Sequence, residues 1–157
     1  MMLYHEIAPT RASIGVLLLR VIVGLAFVVH GWPKIHNPGS WMTMTMGAHV
    51  FAPPWLQAIV AIVEVFGGIA LIVGFLTPLV ALGILVDMAV AIIAVELPKG
   101  AHWIGEQTSF EVPLFYLVAM LTFLLTGPGR FSVDAMLARR SISAGSGSAS
   151  RTRSAQT

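Results

Sequence analysis

Hydrophobic positions fall into four long blocks separated by short polar or proline- and glycine-bearing stretches. The first runs from Ile14 to Lys34 and is apolar almost throughout, though it carries Arg20 inside and His30 and Lys34 at its far end. A bilayer-spanning helix needs about 20 mostly apolar residues, and this block supplies them. At 100° per residue Arg20, Gly24, Phe27, Gly31 and Lys34 share one face, with small residues for close packing between the cations. That face is expected to point into a bundle. The second block, residues 55–75, follows Pro53 and Pro54 and aligns Gln57, Ala61, Glu64, Gly68 and Leu71. The third, residues 79–97, aligns Gly83, Asp87, Ala91 and Ala94, which leaves Glu96 on the opposite, interfacial side. The fourth, residues 111–127, is slightly short and begins at Glu111.

The connecting stretches refine this picture. Residues 37–54 form an apolar loop containing Trp41 and three methionines, expected in the membrane interface or folded over the mouth of the bundle. Gly127-Pro128-Gly129 ends the fourth block. The segment RFSVDAMLARR then reads as a short amphipathic helix on the membrane, with Ser132 as its N-cap, Asp134 at its positive end and Arg139 and Arg140 at its negative end. The expected division is an N-terminal entry over residues 1–13, with Ser13 as a cap, a four-helix domain over 14–137, and a disordered Ser/Gly/Ala tail over 138–157. The fold class that follows is an all-α membrane protein, a four-transmembrane-helix bundle with a short C-terminal amphipathic helix.

Composition supports this class. Of 157 residues 57% are hydrophobic and only 10% charged, where a soluble domain carries about a quarter. Cysteine is absent, which excludes disulfides, thiol redox chemistry and thiolate metal sites. A cleaved signal peptide would have a shorter apolar core than the first block. Arginines cluster at Arg130, Arg139, Arg140, Arg151 and Arg153, with Arg11 near the other terminus. The positive-inside rule therefore puts both termini in the cytoplasm. These cations lack interleaved aromatics, so a nucleic-acid partner is not implied.

Charges within the spans carry the chemistry. Intramembrane ionisable groups are costly and need partners, so they are functional suspects. From their depths, Arg20 is expected to meet Glu64 and Asp87 in one cluster, and His30, Lys34 and Glu111 to form a second. Structural clamps are the competing reading, favoured for Asp87, while Lys34 and Glu111 can simply snorkel to the interface. A lone span histidine does not make a bis-axial haem site. Met42 to His49 offers soft ligands of the kind Cu(I) takes, but alternate methionines beside Trp41 read first as an apolar patch, so no metal site is assigned.

Three groups of residues together carry a resemblance. They are Arg20-x-x-x-Gly24-x-x-Phe27 with His30-Gly31 and Lys34; Glu64-x-x-Gly67-Gly68 with Gly74 and Thr77; and Gly127-Pro128-Gly129-Arg130-x-Ser132-x-Asp134. Over residues 13–137 the chain resembles the DoxX family of small four-helix inner-membrane proteins. That resemblance implies a membrane subunit or partner of a quinone-linked redox system handling sulfur or oxidative stress. It would have no covalent cofactor, with quinone as the bound group and other subunits as redox partners. On this reading Glu64 and His30 exchange protons, and Arg20, helped by Lys34, Asp87 and Glu111, holds the ligand or completes the buried charge cluster. Two other functions fit the residues: a non-enzymatic membrane scaffold, and a small proton-coupled transporter, which at this size would work as a homo-oligomer.

Overall fold

A computed structural model describes residues 10–46, 52–104 and 109–141. Residues 1–9 of the expected entry, residues 47–51 including His49, residues 105–108, and the part of the expected tail beyond 141 lie outside these. The described chain is helical. α1 spans Thr10–His36, α2 Trp41–Met46, α3 Pro54–Val73, α4 Thr77–Val90 and α5 Glu111–Thr126. α4 continues through a π-helical segment, Ala91–Glu96, and a 3-10 turn, Leu97–Lys99. A final helix, α6, occupies residues 133–141.

α1, α3 and the α4 unit through Lys99 are each long and apolar enough to cross a membrane, and α5 is a shorter apolar helix. They run up-down-up-down, and α1 packs on α3, α3 on α4, α4 on α5, with a narrower contact closing α5 back to α1. The protein is therefore a four-helix membrane bundle. Its core is Val23, Phe27, Leu71, Ala81, Ile84, Met88, Met120 and Phe123. Large apolar residues such as Ile22, Val29, Phe66, Leu79 and Phe115 face outward, as contact with lipid hydrocarbon requires.

Glycine makes the α1–α3 pair the closest in the bundle. A Cβ on Gly24 would lie 2.6 Å from the Gly68 carbonyl oxygen, and one on Gly68 would lie 2.6 Å from the Gly24 carbonyl oxygen. In a membrane such small-residue contacts let backbones approach and gain dispersion contacts that lipid would otherwise supply. The same approach operates higher on α1. A Cβ on Gly31 would come within 2.7 Å of the Glu64 Cβ. Gly31 thus fixes the level at which Glu64 enters the bundle.

Three local expectations are revised. α1 begins at Thr10, so Ser13 is buried inside it and not at its cap. The 37–54 connection is not a plain loop. It forms α2 and folds back on α3, with Trp41 and Met42 buried against Ala52 and Ala61. Glu96 pairs with Lys99 at 3.3 Å, and it sits on a π segment that carries more residues per turn than an α-helix, so the 3.6-residue count used to place it loses phase there.

Candidate functional site

The two ends of the bundle treat buried charge differently. At the Arg20 end, the guanidinium is fully buried. Its Nη1 donates to the Pro128 carbonyl at 2.7 Å and its Nη2 to the Phe131 carbonyl at 2.6 Å. Gly74, at φ +72°, brings the α3–α4 turn against the guanidinium so closely that a Cβ there would overlap it. The Asp134 carboxylate accepts from the backbone N–H groups of Leu76 and Thr77, both at 2.9 Å, and the Asp134 N–H donates to the Gly74 carbonyl at 3.0 Å. Asp134 therefore caps α4, in addition to lying in the first turn of α6. Ser132 caps α6 as expected, its Oγ accepting from the Ala135 N–H at 3.1 Å. Leu76, at φ +50°, is held in a left-handed conformation by the same carboxylate.

This corrects the expected pairing of Arg20 with Glu64 and Asp87. No ion pair joins them among the described residues. The reason is level. The α3–α4 turn and the 127–131 segment stand beside Arg20 and offer carbonyl oxygens. Glu64 stands opposite Gly31, eleven residues or roughly 16 Å further along α1 at ~1.5 Å per residue. Arg20 is a tie between the first helix and the segment that closes the fourth.

Glu64 and Asp87 instead join the upper group. Lys34 Nζ donates to Glu64 Oε1 at 2.6 Å, with the Glu64 side chain 1% exposed and that of Lys34 14%. The Asp87 carboxyl lies beside that of Glu64, close enough for a hydrogen bond between them. His30 is within electrostatic reach of both Lys34 and Asp87. One oxygen of each acid, Glu64 Oε2 and Asp87 Oδ2, is buried without a hydrogen-bond partner. Glu111, expected in this group, heads α5, and no ion pair ties it to Lys34 or His30.

α2 roofs the cluster. Lys34 Nζ stands 4.5 Å from the centre of the Trp41 ring, a cation–π contact. Trp41 Nε1 donates to the Gln57 carbonyl at 2.9 Å, the Met42 N–H donates to Gln57 Oε1 at 3.1 Å, and Gln57 Nε2 donates to the Ala52 carbonyl at 2.8 Å. Gln57 is the residue sequence reasoning undervalued. It shared the Glu64 face, and an uncharged amide two turns above a buried acid was the available signal.

Beside this cluster a cleft of about 250 Å³ opens between α1, the end of the α4 unit and α5. Phe27, His30, Met88, Glu96 and Tyr116 are among its walls. The Tyr116 ring meets Phe27 edge-on at 5.0 Å between centroids. Most of the lining is apolar, with His30 and Glu96 as the ionisable groups. This is the character of a small-molecule site, somewhat below the usual size range of about 300–1,000 Å³. No group of three or more His, Asp or Glu side chains able to hold a metal occurs among the described residues.

Residues 15–97 match the DoxX family, more than half of the chain. The chain belongs to the DoxX family. Among its relatives are the inner membrane protein YphA of Escherichia coli, 33% identical over 142 residues and covering 83% of this chain and 95% of YphA. CatD of Bacillus subtilis, provisionally named an oxidoreductase, is 31% identical over 122 residues, covering 78% of this chain and 86% of CatD. An uncharacterized membrane protein of Mycobacterium tuberculosis is 28% identical over 145 residues, covering 83% and 86%. No solved structure matches the chain. The DoxX match takes in Arg20, His30, Lys34, Glu64, Asp87 and Glu96. It stops before α5 and before the 127–134 segment that receives Arg20.

Proposed function

We propose that this DoxX-family protein is the membrane subunit of a quinone-linked redox system in a bacterial inner membrane, with both termini cytoplasmic. The observation that carries the reading is the cleft: a mostly apolar slot between α1, the α4 unit and α5, with an imidazole in its wall that lies within electrostatic reach of the buried Asp87 carboxyl. Reduction of a quinone to a quinol takes two electrons and two protons. In this assignment the chain handles the protons. His30 meets the ligand oxygen, and Glu64 and Asp87 exchange protons through it. The electrons come from a partner subunit that oxidises its own substrate, since this chain has no cysteine to pass them on. The Arg20 role narrows to holding the bundle together. The name of the Bacillus subtilis relative CatD agrees with an oxidoreductase context. Orientation is supported by the cations gathered where α1 begins and α6 lies, Arg11, Arg130, Arg139 and Arg140, and by exposed Trp32, Trp55 and Trp103 toward the opposite end.

The test is quinone binding to the purified full chain in lipid nanodiscs, followed by reduction in membranes that retain the native partners. Short-chain ubiquinone and menaquinone are both offered. The unaltered protein is expected to bind one of them, and His30→Ala to weaken binding at least ~10-fold. An unaltered protein that binds neither, with partners present, removes the reading. Stoichiometric partner capture without quinone binding would point to a scaffold.

A second reading, a proton-coupled transporter, gains from one observation. Arg20, which would otherwise hold Glu64 ionised, is engaged by Pro128 and Phe131, so Glu64 has Lys34 as its ion-pair partner and keeps its other oxygen unpartnered. Proton-gradient-driven uptake into vesicles decides this directly.

A further inference from the structure

Charge does not balance at the Lys34 end as the side chains stand. Lys34 brings one positive charge to the buried group, while Glu64 and Asp87 bring two acids. Ionised carboxylates only accept hydrogen bonds, so two of them side by side have nothing to share. Yet these two adjoin, and each keeps an oxygen buried without a partner. The Glu64 stem is confined where α1 and α3 pack closely, because a Cβ on Gly31 would lie 2.7 Å from the Glu64 Cβ.

We infer that Glu64 and Asp87 together bind a single proton, shared between the two carboxyl groups and exchangeable with His30. Two carboxyl groups confined to one dry site hold one proton between them, and it belongs to the pair and not to either residue. The bound proton supplies the donor that the contact lacks. It also brings the group to neutrality: one ammonium, one carboxylate, one carboxylic acid. The charged and titratable neighbours on every packed element fit this assignment. α1 contributes Lys34, which holds Oε1 of Glu64, and His30, which is within electrostatic reach of Asp87 and also lines the cleft. The π segment and α5 contribute Glu96 and Tyr116, which line the cleft at His30. Asp87, read from the sequence as structural, becomes half of a proton site. The inference deepens the quinone reading but rests on it only for the destination of the proton.

Infrared spectroscopy of the full chain in nanodiscs, without quinone, tests it. At neutral pH the unaltered protein is expected to show a carboxylic-acid C=O band worth about one acid group per chain that shifts in heavy water. Carbon-13 labelling of aspartate carboxyls and of glutamate carboxyls, in separate unaltered samples, should each move that band, which needs no variant to fold. The band should vanish in both Glu64→Gln and Asp87→Asn, because the acid that remains ionises to pair with Lys34. It should persist in Glu96→Gln and Glu111→Gln, and roughly double in Lys34→Met. No acid band in the unaltered protein, a band moved by only one label, or a band that sodium abolishes would overturn the inference, the last in favour of a cation site. Absence of quinone binding with the band intact removes only the quinone reading.

Discussion

The Arg20 end and the Lys34 end bury charge to opposite purposes. Around Arg20 backbone carbonyls take both terminal nitrogens, a glycine turn closes over the guanidinium, and Asp134 ties the same turn to α6. Around Glu64 one oxygen is satisfied and its neighbour is not, a second acid stands beside it, and a cleft lies next door. Both terminal nitrogens held by rigid backbone carbonyls, with only Nε left without a partner, describe a clamp. Partial satisfaction beside a cavity describes a site that can change its proton or its ligand. The lesson is that depth in a membrane does not separate structural from functional charge; the kind of partner does.

The largest effect should come from breaking the clamp. Arg20→Met removes two charge-assisted hydrogen bonds and leaves the part-buried Pro128 and Phe131 carbonyls without them. The expected loss is about 3–5 kcal/mol, enough to prevent recovery of folded protein in mild detergent. A variant that elutes as monodisperse protein with unchanged thermal stability would contradict the clamp. Next in size is Gly24→Ala. Its Cβ would meet the Gly68 carbonyl oxygen at 2.6 Å and the Ile72 side chain at the same distance, so α1 and α3 must part. About 1–3 kcal/mol is expected. Parting should also slacken Lys34 against Glu64, so this variant touches both ends, and a Gly24→Ala protein with full stability and full quinone binding would argue against tight α1–α3 packing.

A smaller and more local effect belongs to Asp134. Asp134→Ala removes the acceptor for the Leu76 and Thr77 N–H groups and leaves Leu76 in a left-handed conformation without its tether. The cost should be about 1–2 kcal/mol, typical of a lost helix cap. Amide hydrogen exchange is the better measurement, because protection should fall in the first turn of α4 while α5 is unchanged. Uniform loss across the bundle would show that Asp134 does more than cap.

Much of this architecture is legible from residue order. The four apolar blocks, the inward faces of Arg20 and Glu64 and the Ser132 cap emerge from periodicity and spacing, since each is a local property of one helix or turn, and the resemblance to the DoxX family supplies the membrane class. Who meets whom is not local. Helical phase says that Arg20 and Glu64 both face inward; it says nothing of axial register between α1 and α3, which Gly24, Gly31 and Gly68 set by contact. Asp134 reaches a turn 58 residues back, and nothing in its neighbourhood signals that. Glu96 lines the cleft from a π segment, where the α-helical period no longer predicts direction. Close packing, long-range caps and phase defects are therefore where sequence reading failed.

The smallest expected change in stability is also the most informative. Glu64→Gln keeps the shape of the side chain and an oxygen for Lys34, while Asp87 is free to ionise in its place. The net charge of the buried group stays balanced, so stability should move by no more than about 1 kcal/mol in either direction. Proton exchange and quinone binding should nevertheless fall, because the pair no longer holds a proton for His30. Thermal stability in nanodiscs and quinone titration of the same samples give both quantities. Arg20→Met and Glu64→Gln then form a matched pair: one loses the fold, the other keeps the fold and loses the chemistry. If Glu64→Gln unfolds the protein as Arg20→Met does, the Lys34 end is a second clamp, and the cleft beside it must owe any function to His30 and Glu96 alone.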